Sequence, residues 1–165
     1  MLSKPISKKE PITSDILKTI VLKFGDPTDL RKLRTVSLFL LGFSGFLRYS
    51  ELANIEMNNI AFFHTHVKIY IEKSKTDIYR RGNSVVIAST NTVFCPVVWL
   101  KRYFDFANLQ FNSDSYIFRV PSFFKSKSTY ELCKVNVPLS YARAMEILLD
   151  CWRLVWINLS LAFTV

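Results

Sequence analysis

Glycine is scarce, with four residues in 165. A phosphate cradle of the glycine-loop kind has little material here, and neither G-x-G-x-x-G nor G-x-x-x-x-G-K-[ST] occurs. Nucleotide-binding folds lose most of their support. Histidine is scarcer still, His64 and His66 alone, and the three cysteines, Cys95, Cys133 and Cys151, form no C-x-x-C pair. That combination leaves no metal-ligand spacing. An odd, sparse cysteine count also argues against a secreted disulfide scaffold, so the thiols are expected as small buried hydrophobes in a reducing compartment. Long hydrophobic runs are missing too. Val36–Leu47 and Leu154–Val165 are each too short to cross roughly 30 Å of hydrocarbon, and the N-terminus, with Lys4, Lys8 and Lys9, lacks an apolar signal segment. The expectation is an intracellular chain with no membrane contact, in which the sequon Asn158-Leu159-Ser160 is a chance match.

What the chain does have is 50% hydrophobic and 21% charged residues, the composition of one folded domain with a core. Lysine and arginine number 22 against 13 acids, a net charge of +9 that suits a phosphate-bearing or otherwise anionic partner.

Periodicity predicts a mixed α+β chain, mainly helical, with one small three-stranded antiparallel sheet. Thr13 or Ser14 caps a helix bearing Ile16, Leu17, Ile20, Val21 and Phe24, stopped at Gly25. After Asp26-Pro27-Thr28-Asp29, a second helix places Leu30, Leu33, Val36, Phe39, Leu40 and Phe43 on one face. Gly42, Ser44 and Gly45 loosen the chain before a third, short helix with Leu52 and Ile55 inward. Val67, Ile69 and Ile71 then alternate with Lys68, Tyr70 and Glu72 as a half-buried strand, flanked by strands at Ala61–Phe63 and Ser84–Ile87. A helix starts at Pro96 with Val97, Val98, Leu100, Tyr103, Phe104 and Ala107 on its apolar face. Ser115–Phe118 reads as one more short strand, Ser122–Thr129 as a polar loop, and Tyr141–Leu154 as a final amphipathic helix.

Two features carry chemistry. Arg48 follows a tight turn at Gly45 and opens a short helix, where a guanidinium can be held rigidly against an anion. It can equally pair with Glu51 three residues on and remain a surface ion pair. The second feature is Glu72-Lys73-Ser74-Lys75-Thr76-Asp77-Ile78-Tyr79-Arg80-Arg81, a strand end running into a basic hairpin. Its cations suit backbone phosphates, and they also suit a solvated charged turn.

Phe46-Leu47-Arg48-Tyr49-Ser50-Glu51-Leu52-Ala53-Asn54-Ile55 resembles the first-arginine motif of tyrosine recombinases, phage-integrase-type catalytic domains in which a G-x-R-x-S-E-L core precedes a small sheet. Ile71–Asp77, Val85–Ile87, Cys95-Pro96-Val97 and Pro138-Leu139-Ser140-Tyr141-Ala142-Arg143-Ala144 are similar to the recombinases of Crypton and DIRS mobile elements. The resemblance spans roughly residues 9 to 150. It implies a tyrosine-recombinase catalytic core that binds double-stranded DNA, assembles as a homo-oligomer on it, works in the nucleus, and needs no cofactor or metal. In that chemistry a tyrosine attacks the phosphodiester, arginines stabilise the transition-state charge, and a hairpin lysine protonates the leaving oxygen. Carried over by position, Arg48 is the first catalytic arginine and Lys75 the hairpin lysine, with Lys73 as its fallback. Lys73, Arg80 and Arg81 are DNA contacts, and Glu51 is a supporting acid.

The family's His-x-x-Arg box and its later nucleophilic tyrosine have no counterpart in this sequence. Tyr141 precedes the place of that box and is expected as a core or surface tyrosine, so no nucleophile is assigned. The expected organisation is a flexible segment over 1–10, a partial catalytic domain over 11–150, cut short at its C-terminus, and a divergent apolar tail over 151–165. The rival expectation is a non-catalytic DNA-binding or protein-interaction remnant of a mobile element.

Overall fold

The computed structural model describes residues 12–26, 28–73, 82–111 and 113–162, with the side chains from 154 onward excepted. Its elements run α1 (Ser14–Phe24), α2 (Leu30–Ser44), α3 (Tyr49–Ala53), a single 3-10 turn (Met57–Asn59), β1 (Ile60–Phe62), β2 (His66–Ile71), β3 (Asn83–Ala88), α4 (Pro96–Phe106), β4 (Pro121–Phe124), β5 (Thr129–Leu132) and α5 (Tyr141–Ala162). The mixed, mainly helical architecture with a small three-stranded antiparallel sheet is the expected one.

Capping chemistry explains the first two helices. Thr13 Oγ1 accepts from the Ile16 N–H at 3.4 Å, and Asp29 Oδ1 accepts from the Arg31 N–H at 2.8 Å, each satisfying an amide that its helix leaves open. At the end of α1 the chain passes so close to α4 that a Cβ on Gly25 would lie 2.2 Å from the Val21 carbonyl and 2.8 Å from the Trp99 ring. Only glycine fits that crossing.

The core forms where α2 lies against α4. Leu33, Val36, Leu40 and Leu41 of α2 are buried with Trp99, Leu100, Tyr103 and Phe104 of α4. Ser37, fully buried in the same seam, donates from Oγ to the Trp99 carbonyl at 3.1 Å, so its hydroxyl is not left unsatisfied. The apolar stripe of α2 outruns this core. Phe43, expected inside, is 40% exposed because it reaches the helix's last turn and faces an open apolar groove shared with Leu52, Tyr141 and Ala144. Val98 is likewise exposed, at the edge of a face whose other members Val97, Leu100, Tyr103 and Phe104 are buried.

In the sheet the order is β1-β2-β3, antiparallel throughout, with Val67 opposite Ile87 and Ile71 opposite Asn83. Val67, Ile69 and Ile71 are buried while Lys68 and Tyr70 face outward, the alternation read from the sequence. β1 starts one residue earlier than expected, at Ile60, and Phe63 lies beyond it. Gly82, at φ +69°, enters β3 against the Tyr70 ring, where a Cβ would meet the Tyr70 hydroxyl at 2.2 Å.

Two expectations about strands are corrected in the second half. Ser115–Phe118 is not a strand: only Tyr116 bridges, to Glu56, while Ile117 and Phe118 are fully buried as plugs against the core. The segment is extended, but its N–H and C=O groups serve Ile55 and Met57 and have no strand of matching length beside them. Conversely, the stretch read as a polar loop, Ser122–Thr129, is a hairpin, β4 pairing β5 antiparallel with Phe123 opposite Tyr130. That cross-strand ring pair, centroids 5.1 Å apart, outweighs the polar turn residues between the strands. α5 also extends past the expected Leu154, to Ala162. Cys95 and Cys151 are buried, as expected of small hydrophobes, whereas Cys133 is only half-buried because it sits at the exit of the hairpin. Burial pushes the Cys151 thiol up to about 12, with the neighbouring Asp150 adding to the shift. Among the described residues no helix is long and apolar enough to cross a membrane, and no three His, Cys, Asp or Glu side chains gather to hold a metal.

Leu33→Ala is expected to cost about 3 kcal/mol, read by denaturant unfolding, because the seam is too tightly filled to collapse around the cavity. Acid stability carries a second expectation. Hydrogen bonds from the Thr28 side chain and backbone, and from Lys32, hold the half-buried Asp26 carboxyl down at about 2. A depressed folded-state value stabilises above the ordinary carboxylate range and is lost as pH falls. Between about pH 4 and pH 2, Asp26→Asn should therefore flatten the decline in stability seen for the unaltered protein.

Candidate nucleic-acid interface

Arg48 is positioned by how α2 stops. The Gly45 N–H reaches the Leu41 carbonyl at 2.9 Å and the Leu47 N–H reaches back to the Gly42 carbonyl at 3.0 Å, a helix-closing arrangement that turns the chain sharply. The residue in the left-handed conformation is Phe46, at φ +49° and 90% exposed, while Gly45 stays at φ −96°. Two residues, Phe46 and Leu47, thus separate Gly45 from Arg48, and the strained one is not the glycine.

Arg48 is the N-cap of α3, in extended backbone. Glu51, buried in the first turn, accepts from the Arg48 backbone N–H at 2.7 Å through Oε2 and from its guanidinium at 3.5 Å through Oε1. The i+3 ion pair weighed in the sequence is therefore formed. It does not retire the arginine, whose side chain is half exposed. Glu51 occupies the Arg48 amide at the start of α3, while the guanidinium stays half exposed. Tyr49 fastens α3 to the start of α5: its hydroxyl donates to the Leu139 carbonyl, and its ring meets Tyr141 edge-on at 5.2 Å. Tyr141 is an exposed surface tyrosine in this contact.

Glu51 and Lys73 line one cleft of about 240 Å³, which brings the arginine helix and the base of the basic connection together. Lys73 is exposed and lies beyond the end of β2, so the two-residue alternation that would aim Lys73 and Lys75 the same way ends before it. Lys75, Arg80 and Arg81 lie outside the described residues.

Other cleft residues escaped the sequence reading. Glu56, Glu72, Tyr70 and Tyr116 share its walls. Desolvation, then the charges of Glu72 and Asp114, raise the Glu56 carboxyl above its ordinary range. The outward position of Tyr70 on β2 was a readable signal; the convergence of Glu56 and Glu72 is long-range and had none. With these carboxylates on its walls the cleft floor repels phosphate, and cations at its rim are what an anion could meet.

No protein-family model matches this sequence. Over 102 residues, 61% of the chain, it is 32% identical to an integrase/recombinase xerD homolog of Selenomonas ruminantium, of which it covers 30%. Among solved structures, an FLP recombinase–Holliday junction complex superposes on 79% of this chain and 32% of that one, with TM-score 0.46 and 18% identity. The chain spans less than a third of either relative's length.

The clasp at the start of α3 predicts that Glu51→Ala lowers stability by about 1–2 kcal/mol in chemical unfolding, since a buried cap and its charge-assisted bond are lost together. Glu51→Gln, which keeps an acceptor for the Arg48 N–H, should recover much of that loss. Over those 102 residues the chain is similar to an integrase/recombinase.

Proposed function

We infer that this chain is part of a tyrosine-recombinase catalytic domain and binds duplex DNA through the corner where α3 meets the base of the β2–β3 connection. The observation that carries the reading is the clasp of Arg48 by buried Glu51 beside the cleft that also holds Lys73. A guanidinium fixed by one carboxylate, yet half exposed, is pre-organised to give bidentate donors to a phosphodiester. In this reading the duplex backbone meets the cationic rim and not the acidic floor.

Arg48 acts as the first catalytic arginine, stabilising the non-bridging oxygens, and Lys75 as the acid for the leaving 5′-oxygen. Lys73, Arg80 and Arg81 hold flanking phosphates. Glu51 positions Arg48 without touching DNA. No residue of this stretch is assigned as the nucleophile, and none as a metal or cofactor ligand. The net charge of +9 supplies the long-range attraction such a surface needs. The likeness of the chain to an integrase/recombinase supports the same class. The finer parts of the reading are a mobile-element origin of the Crypton or DIRS kind, assembly as a homo-oligomer on DNA, and action in the nucleus.

A second reading, a non-catalytic protein-interaction remnant, is favoured by one feature: the apolar groove beside Phe43 and the 90% exposed Phe46.

Duplex binding measured by fluorescence anisotropy across a salt series separates the two. Affinity should fall steeply with salt, and Arg48→Ala and Lys75→Ala should each weaken binding and reduce the salt slope by about one. A salt-independent interaction, or none at low ionic strength, defeats the DNA reading. On a suicide substrate supplied with this chain alone, no covalent protein–DNA adduct is expected; an adduct lost on Arg48→Ala would overturn the assignment of no nucleophile.

A further inference from the structure

Earlier on α2, fourteen residues before Arg48, lies a cation that the DNA reading does not use. Arg34 is buried, with 4% of its surface exposed. Its Nη1 donates to the Arg119 carbonyl at 3.0 Å, while its Nε is buried without a partner. Arg119 repeats the pattern: Nη1 donates to the Cys133 carbonyl at 3.1 Å and Nε is again buried and unpartnered. Among the described residues neither guanidinium forms an ion pair with a carboxylate. Burying a charge without a counter-charge is among the costlier things a fold can do.

Arg34 lines a cavity of about 330 Å³ between α2 and α5, which Arg31, Lys32 and Arg143 also line. Of the acids on its wall, Asp29 is engaged by Arg31 at 3.0 Å and Glu146 by Arg143. Asp150 completes the acidic side. Burial pulls the Arg34 value below its ordinary range; the nearby Tyr103 opposes this, and the charges of Arg143 and Arg31 add to it. An anion beside Arg34 would supply the counter-charge that no carboxylate among the described residues gives it. The space accommodates on the order of ten waters, enough for a tetrahedral oxyanion and part of its hydration shell or a small attached group.

We propose that this cavity is a binding site for a small phosphate-class oxyanion, seated against Arg34 with Arg31 and Arg143 at its mouth. The site is separate from the Arg48 corner and does not depend on the DNA reading. A tetrahedral anion with several acceptor oxygens can bridge guanidinium groups that cannot approach one another unaided. Its binding also locks the β4–β5 hairpin to α2, because Arg31 packs on the Tyr130 ring at 3.9 Å and Arg34 holds the Arg119 carbonyl just before β4.

The test uses the full 165-residue chain and inorganic phosphate at constant ionic strength, with sodium chloride as the balancing salt, read by thermal unfolding and by titration calorimetry. Phosphate should raise the unfolding midpoint saturably, as a ligand of the folded state does. Chloride should not. The double variant Arg143→Gln with Glu146→Gln removes the rim cation without leaving an unpaired acid, and should weaken phosphate binding about tenfold, the scale of one charge-assisted hydrogen bond. Arg34→Met should abolish the phosphate effect; if that variant does not fold, the double variant and Arg31→Gln decide. Arg48→Ala should bind phosphate as the unaltered protein does, which keeps this outcome distinct from that of the DNA experiment. The proposal is overturned if phosphate stabilises no more than chloride does, if the variants at 143, 146 and 31 leave the affinity unchanged, or if Arg48→Ala removes it.

Discussion

Helix α2 cannot remain in water. From Leu30 to Leu41 it carries so many apolar side chains that only contact on more than one flank satisfies it, and α1, α4 and the hairpin β4–β5 supply those flanks. Everything that positions the candidate interface follows from this burial. The far end of α2 is held by α4 through Leu40, Leu41 and the Ser37–Trp99 bond, so the turn at Gly45–Leu47 starts from a rigid platform. Arg48 inherits that rigidity. A guanidinium on a loose loop would lose side-chain freedom on meeting a phosphate; here much of that entropy is already surrendered in folding.

The same helix carries two arginines to opposite fates. Arg48, just past its end, has a carboxylate clasp and solvent. Arg34, in its interior, has one backbone carbonyl acceptor and little else. The difference lies in the neighbours: α3 follows Arg48 closely enough for Glu51 to reach it, while Arg34 is covered by segments about eighty-five positions away, whose nearest polar groups are main-chain oxygens. A clasped, half-exposed cation is ready to exchange contacts with a polyanion. A covered, uncompensated one is a fixed positive charge in a poorly screening interior, which acts only on an anion small enough to reach it.

Much of this architecture was legible in the residue order, for identifiable reasons. Thr13 and Asp29 announce helix starts because the groups they cap lie two or three residues away. The β2 alternation is equally local, and the pairing with β3 follows from it. Arg48 and Glu51, three apart across a helix start, were readable as partners. What failed to show was non-local. Nothing within Ser122–Thr129 marks a hairpin, because its stability lies in Phe123 meeting Tyr130 across the strands and in Arg31 lying over Tyr130 from another element. Glu56 and Glu72 lie far apart in the chain and converge only when the sheet closes beside α3.

By itself the sequence determined the helices, the three-stranded sheet, the basic balance and the Arg48–Glu51 pair, since each depends on composition or on contacts within a few residues. Only the tertiary structure decided which charges are buried and which face water. Arg34 and Arg31 sit three apart on one helix and look alike in the chain; that one is buried against the Arg119 carbonyl while the other rides on the hairpin's Tyr130 ring is a matter of packing between distant segments. Burial of a charge is set by what covers it, and what covers Arg34 comes from a segment eighty-five residues further along the chain.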